Sequence, residues 1–174
     1  MYVLGINAYH GGASACLIED GKVIAAAEEE RFMRIKYWAG FPVHAIKYCL
    51  SEAGISSLDL EHIGISRDPK ANLFLKGKFA LQQFPRPQFL LDRIGNLRRV
   101  GDFKSVFCSH IGIGESEISA SFHHVEHHRA HLASAFFVSP FERSAVLSVD
   151  GMGDFSSTMW GVGTGSKLEI SGSV

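Results

Sequence analysis

Residues 2–28 read YVLGINAYHGGASACLIEDGKVIAAAE, and this stretch decides the fold. Residues 2–7 are a short run of apolar and β-favouring side chains, as expected of a buried strand. Ala8-Tyr9-His10-Gly11-Gly12 follows as a turn-rich patch. Residues 13–18 and 22–28 are two further β-leaning runs, joined by Glu19-Asp20-Gly21. Asp-Gly between apolar runs is a strong hairpin signal, because both residues tolerate the positive φ that a tight primed turn requires. The chain therefore opens strand–turn–strand–turn–strand.

Outward from this start, Pro42 opens a helix over 42–53, with apolar residues at 43, 46, 49, 50 and 53 and Gly54 as its stop. Residues 61–66 read as a fourth strand. Residues 71–100 carry Leu and Phe at helical spacing among Lys and Arg, and Pro85 and Pro87 break them into two pieces. They are expected to form a helical insertion outside the sheet, at about 69–100. Residues 118–125 read as a strand. Residues 126–138 suit a helix, with Glu126 at the end of the dipole that favours an anion and Pro140 closing it. Residues 144–149 are a buried strand running into Asp150-Gly151-Met152-Gly153-Asp154, and 156–163 with 167–172 make a closing hairpin. This order predicts an α/β protein with a mixed sheet.

Composition bounds the function. The chain has 174 residues, 46% hydrophobic and 20% charged, enough apolar content for a core. Its 17 Lys and Arg against 18 Asp and Glu argue against a nucleic-acid binder. No apolar run reaches the ~20 residues that span a bilayer, and the start lacks a secretory signal pattern, so no membrane is expected. Three widely spaced cysteines, Cys16, Cys49 and Cys108, fit a reducing cytoplasm.

Nine histidines are present, and five fall within 123–131, FHHVEHHRAH being residues 122–131. On a helix, His127 and His131 are one turn apart on one face and can share a metal ion. His124 and His128 make a second i, i+4 pair on a neighbouring face. Two histidines with a carboxylate suit Fe(II), and also Zn or Mn. The alternative is that the histidines cap, pack or bond locally. In Asp150-Gly151-Met152-Gly153-Asp154 the glycines let the backbone approach a phosphate and an Asp can hold a metal or orient a water, the alternative being an ordinary turn. His10-Gly11-Gly12-Ala13-Ser14 can cradle phosphate through its N–H groups but lacks the lysine and helix of a P-loop. Glu28-Glu29-Glu30-Arg31 offers carboxylates, and a charge run of this kind ordinarily forms a solvated face.

Two blocks carry a family resemblance. LGINAYHGGASACLIEDGKVIAAAEEERFMRIKYWAGFP, and VEHHRAHLASAFFVSPF followed by AVLSVDGMGDFSS, resemble the NodU/CmcH-type O-carbamoyltransferases. The resemblance implies that 1–174 is the N-terminal lobe of a domain similar to the TsaD-type transferases, of actin/Hsp70-like (ribonuclease H-like) ATPase fold. It implies a metal on His127 and His131 and nucleotide contacts at Gly12, Ser14, Asp150, Gly151 and Gly153. It also implies a role for His10 in acceptor handling or acid–base work. The implied partners are carbamoyl phosphate, ATP, carbamoyl-adenylate made from them, and a hydroxylated small-molecule acceptor. Family members run to several hundred residues. The third metal ligand, an Asp, and the adenylate-forming domain are therefore expected beyond Val174. The 174 residues alone are expected to be inactive, or to act as a metal- or nucleotide-binding lobe with a second copy or a missing C-terminal half.

Overall fold

The computed structural model describes residues 1–74, 76–77 and 102–174. The expected insertion at about 69–100 lies mostly outside the described residues. Those that are described form two compact units, one built from 1–66 and 102–124 and the other from 67–74, 76–77 and 125–174.

The first unit is a five-stranded mixed sheet in the order β3-β2-β1-β4-β5. Strands β1 (Tyr2–Asn7), β2 (Ser14–Glu19) and β3 (Lys22–Glu28) form an antiparallel meander, and β4 (His62–Ile65) and β5 (Ser121–His124) extend it in parallel. The hairpin turn sits at Asp20 and Gly21, with φ of 48° and 83°, as the Asp-Gly signal predicts. Alternation decides which face is buried: Leu4 and Ile6, Ala15 and Leu17, and Ile63 and Ile65 all point into the core. After the single turn α1 (Glu30–Met33), helix α2 (Val43–Ala53) buries Ala45, Ile46, Cys49 and Leu50 in that core and ends at Gly54 in the left-handed conformation. A helix not read from the sequence, α3 (Phe103–Ile111), sets Phe103 and Phe107 edge-on against Phe122 of β5. The mixed α/β sheet expected from the order of elements is present.

The second unit is a separate three-stranded antiparallel sheet, β6 (Arg143–Gly153), β7 (Ser156–Thr164) and β8 (Lys167–Ser173), with helix α4 (His127–Phe136) on one face. The strands thus divide between two sheets rather than joining one. Leu132 and Phe136 of α4 pack on Val146 and Met159. Gly163 permits this, since a Cβ there would lie 2.6 Å from the Phe136 ring. Strand β6 also runs further than the sequence suggests. The Asp150–Gly153 segment belongs to the strand, and the turn comes at Asp154 and Phe155, with φ of 50° and 69°. Polar and glycine content disguises the strand end as a turn. Among the described residues, no helix is long and apolar enough to cross a membrane.

Candidate metal centre

The first turn of α4 and the end of β6 build one cluster in the second unit. His127 and His131 present their Nε2 atoms 3.1 Å apart, as the i, i+4 spacing predicts. Asp150 Oδ2 lies 2.9 Å from His127 Nε2 and 3.2 Å from His131 Nε2. The three atoms form a nearly equilateral triangle. Two cis ligands about 2.1 Å from one ion are about 3 Å apart, so a divalent ion fits this set without rearrangement. The sequence reading placed the third ligand beyond these residues, and the structure supplies a carboxylate within them.

Electrostatics favour the cluster. The hydrogen bond with His127, followed by the N–H of Gly151 at 2.6 Å, holds the Asp150 carboxyl well below the usual carboxylate range. His127 is 13% exposed, whereas His131 and Asp150 are 49% and 46% exposed. The inner edge is fixed by protein and the outer edge faces solvent, leaving room for further ligands.

The glycines of this segment act locally. A Cβ on Gly153 would stand 2.0 Å from His127 Cδ2, so the bare backbone makes the space in which the ring lies. The Gly151 N–H is engaged by the side chain of Asp150 itself. Asp154, the last residue of the same segment, anchors the start of the helix. Its Oδ2 accepts from the backbone N–H of His127 at 3.0 Å and from that of Asp68 at 2.9 Å. Asn72 Nδ2 donates to the Asp154 carbonyl at 2.9 Å. Glu126 pairs instead with Arg129 Nε at 3.1 Å.

The second histidine pair does not form on one helix. His124 lies in β5, before the helix begins. His128 is fully buried, with Nδ1 2.8 Å from Ser148 Oγ and Nε2 2.9 Å from the Ser156 carbonyl. Both of its nitrogens are engaged, so it braces α4 on the sheet.

The remaining predicted residues lie in the first unit, in the turn between β1 and β2. His10 Nδ1 is 3.2 Å from the Gly11 carbonyl. Gly12 has a φ of 79°, and its carbonyl accepts from Asn7 Nδ2 at 2.9 Å; Asn7 Oδ1 in turn accepts from Ser66. The N–H groups of Tyr9 and Ala13 donate to the Gly40 and Trp38 carbonyls. The turn is thereby held open, with Gly12 facing space that a Cβ would enter without contact and Ser14 opening β2.

The carbamoyltransferase N-terminus family model matches residues 2–174. The chain belongs to this family. It is 36% identical over 172 residues to an uncharacterized protein of Synechocystis sp., covering 96% of this chain and 28% of that one. It is 35% identical over 164 residues to nodulation protein NolNO of Sinorhizobium fredii, covering 92% of this chain and 22% of the relative. The chain thus spans about a quarter of the length of these curated relatives. Among solved structures, YeaZ from Pseudomonas aeruginosa superposes with a TM-score of 0.49 at 14% identity, covering 98% of this chain and 64% of that one.

Proposed function

We propose that residues 1–174 are the N-terminal part of an O-carbamoyltransferase that moves a carbamoyl group from carbamoyl-adenylate, made from carbamoyl phosphate and ATP, to a hydroxyl of a small-molecule acceptor. In the transfer, the acceptor oxygen bonds to the carbamoyl carbon, the bond from that carbon to the adenylate oxygen breaks, and AMP leaves. The observation that carries the proposal is the His127–His131–Asp150 triangle in a chain of this family.

The residues take separate roles. His127, His131 and Asp150 hold a divalent ion, with Fe(II) as the first choice and Zn or Mn as alternatives. When bound, that ion supplies Lewis-acid polarisation of an oxygen at the reacting group. Asp150 stays anionic across the physiological range, which keeps the donor set charged and competent. Asp154 and Gly153 fix the helix start and the imidazole of His127. In the first unit, Gly12 and Ser14 offer backbone and hydroxyl contacts to the nucleotide, and His10 takes the acceptor's proton. Asp150, Gly151 and Gly153 act through the metal cluster rather than by donating N–H groups to phosphate.

Because the chain spans about a quarter of its relatives, we further propose that it does not turn over alone, and that activity requires further residues or a second chain. Purified 1–174 with ATP, carbamoyl phosphate, Fe(II) and an alcohol acceptor is expected to release no AMP, while a longer protein bearing this stretch does. In that longer protein, His127→Ala is expected to abolish carbamoyl transfer. Turnover by 1–174 at the longer protein's rate contradicts the requirement for further residues. Full activity of His127→Ala contradicts the metal role.

A further inference from the structure

Two histidines outside the triad also face one another. β4 and β5 pair in parallel at the edge of the five-stranded sheet, with His62 opposite Ser121 and Gly64 opposite His123. His62 Nδ1 and His123 Nε2 are 3.0 Å apart, and the ring centroids are 5.1 Å apart at 51°. The strand pleat puts both on one face, while Phe122 and His124 project to the other, where the rings of both lie near Phe103.

We propose that His62 and His123 form a second metal site, for a late first-row divalent ion such as Zn(II), Ni(II) or Cu(II). The separation is that of two cis ligands about 2.0–2.1 Å from one ion. One shared N–H gives the same separation, and an ion takes its place when both facing nitrogens are deprotonated and each offers a lone pair. The donor set is two neutral nitrogens with no carboxylate, which favours this end of the series over Mg, Ca or Mn. His123 is exposed and His62 half-buried, so water completes the coordination. The site's consequence is structural: among the described residues β5 has a paired neighbour on one side only, and a cross-strand ion would clip this four-residue strand to β4.

The test uses 1–174 carrying His127→Ala and His131→Ala, titrated calorimetrically with Zn(II) or Ni(II) alone. One equivalent is expected to remain, with its affinity falling at least tenfold when His123→Ala is added and holding when His124→Ala is added. Circular dichroism confirms the fold of each variant. In the unmutated chain, one equivalent of Cu(II) beyond that taken by the triad is expected to broaden the imidazole proton resonances of His62 and His123. Absence of the remaining equivalent, its survival of His123→Ala, or unbroadened His62 and His123 resonances overturns the proposal.

Discussion

Gly153 is the residue at which backbone chemistry and metal chemistry meet. A methyl group there would occupy the His127 ring, so Gly153→Ala must push the imidazole off the triangle or the strand off the helix. It is expected to weaken divalent-ion binding by at least tenfold, read by chelator competition, and to lower the unfolding midpoint. The neighbouring histidines separate by role. His127→Ala removes a ligand and is expected to cost metal affinity with little loss of stability. His128→Ala leaves the Ser148 hydroxyl and the Ser156 carbonyl buried and short of a partner, and is expected to cost about 2–4 kcal/mol in denaturant unfolding. Its metal affinity is expected to stay near that of the unmutated chain while folded. The spacing of His127 and His131 made their pairing legible from sequence. Asp150 was legible as a residue that can hold a metal or sit in a turn, but not as the partner of His127 and His131, because nothing local shows that β6 carries it beneath α4.

Helix α2 shows how an element can depend on a residue far from it in sequence. Its first turn has no cap of its own, and the Glu29 carboxylate supplies one. It accepts from the N–H of His44 at 3.2 Å, from that of Ala45 at 2.8 Å, and lies 2.7 Å from His44 Nδ1. Glu29 is 2% exposed. Within the Glu28–Arg31 run, read as a solvated face, this one carboxylate is therefore buried structure, while Glu28 and Arg31 do face solvent. Charge alone does not reveal which member of a run turns inward. Glu29→Ala is expected to cost about 1–3 kcal/mol, with His44 and Ala45 amides losing hydrogen-exchange protection first. On the same helix, Cys49 donates to the Ala15 and Ala25 carbonyls, and burial pushes its thiol up to about 11. A thiol whose folded pKa exceeds its unfolded value of about 8.5 stabilises the fold below that pH, and the contribution is lost as pH rises through about 11. Between pH 9 and 11, the unmutated chain is expected to lose stability more steeply than Cys49→Ala. Helix α3, by contrast, escaped the sequence reading. It adjoins the Lys/Arg-rich segment, and its buried face is set by Phe103, Phe107 and Cys108 meeting β5, a tertiary contact with no local signature.

At the scale of the molecule, the opening meander, α2, β4 and α4 were all legible because each carries its own period, turn or cap. The division into two sheets was not, since which strands pair depends on contacts between distant residues. The two units hold different parts of the proposed chemistry, with the Gly12 turn in the first and the metal cluster in the second. The three-stranded sheet also leaves Leu147, Val149 and Trp160 exposed on the face opposite α4. The central claim is that His127, His131 and Asp150 act together on one ion, and it is tested most directly by metal titration of the His123→Ala chain with and without Asp150→Asn. The account predicts one equivalent of Fe(II) or Zn(II) bound by the chain with Asp150, and an affinity at least tenfold lower with Asn in its place. Equal affinity in the two would contradict it.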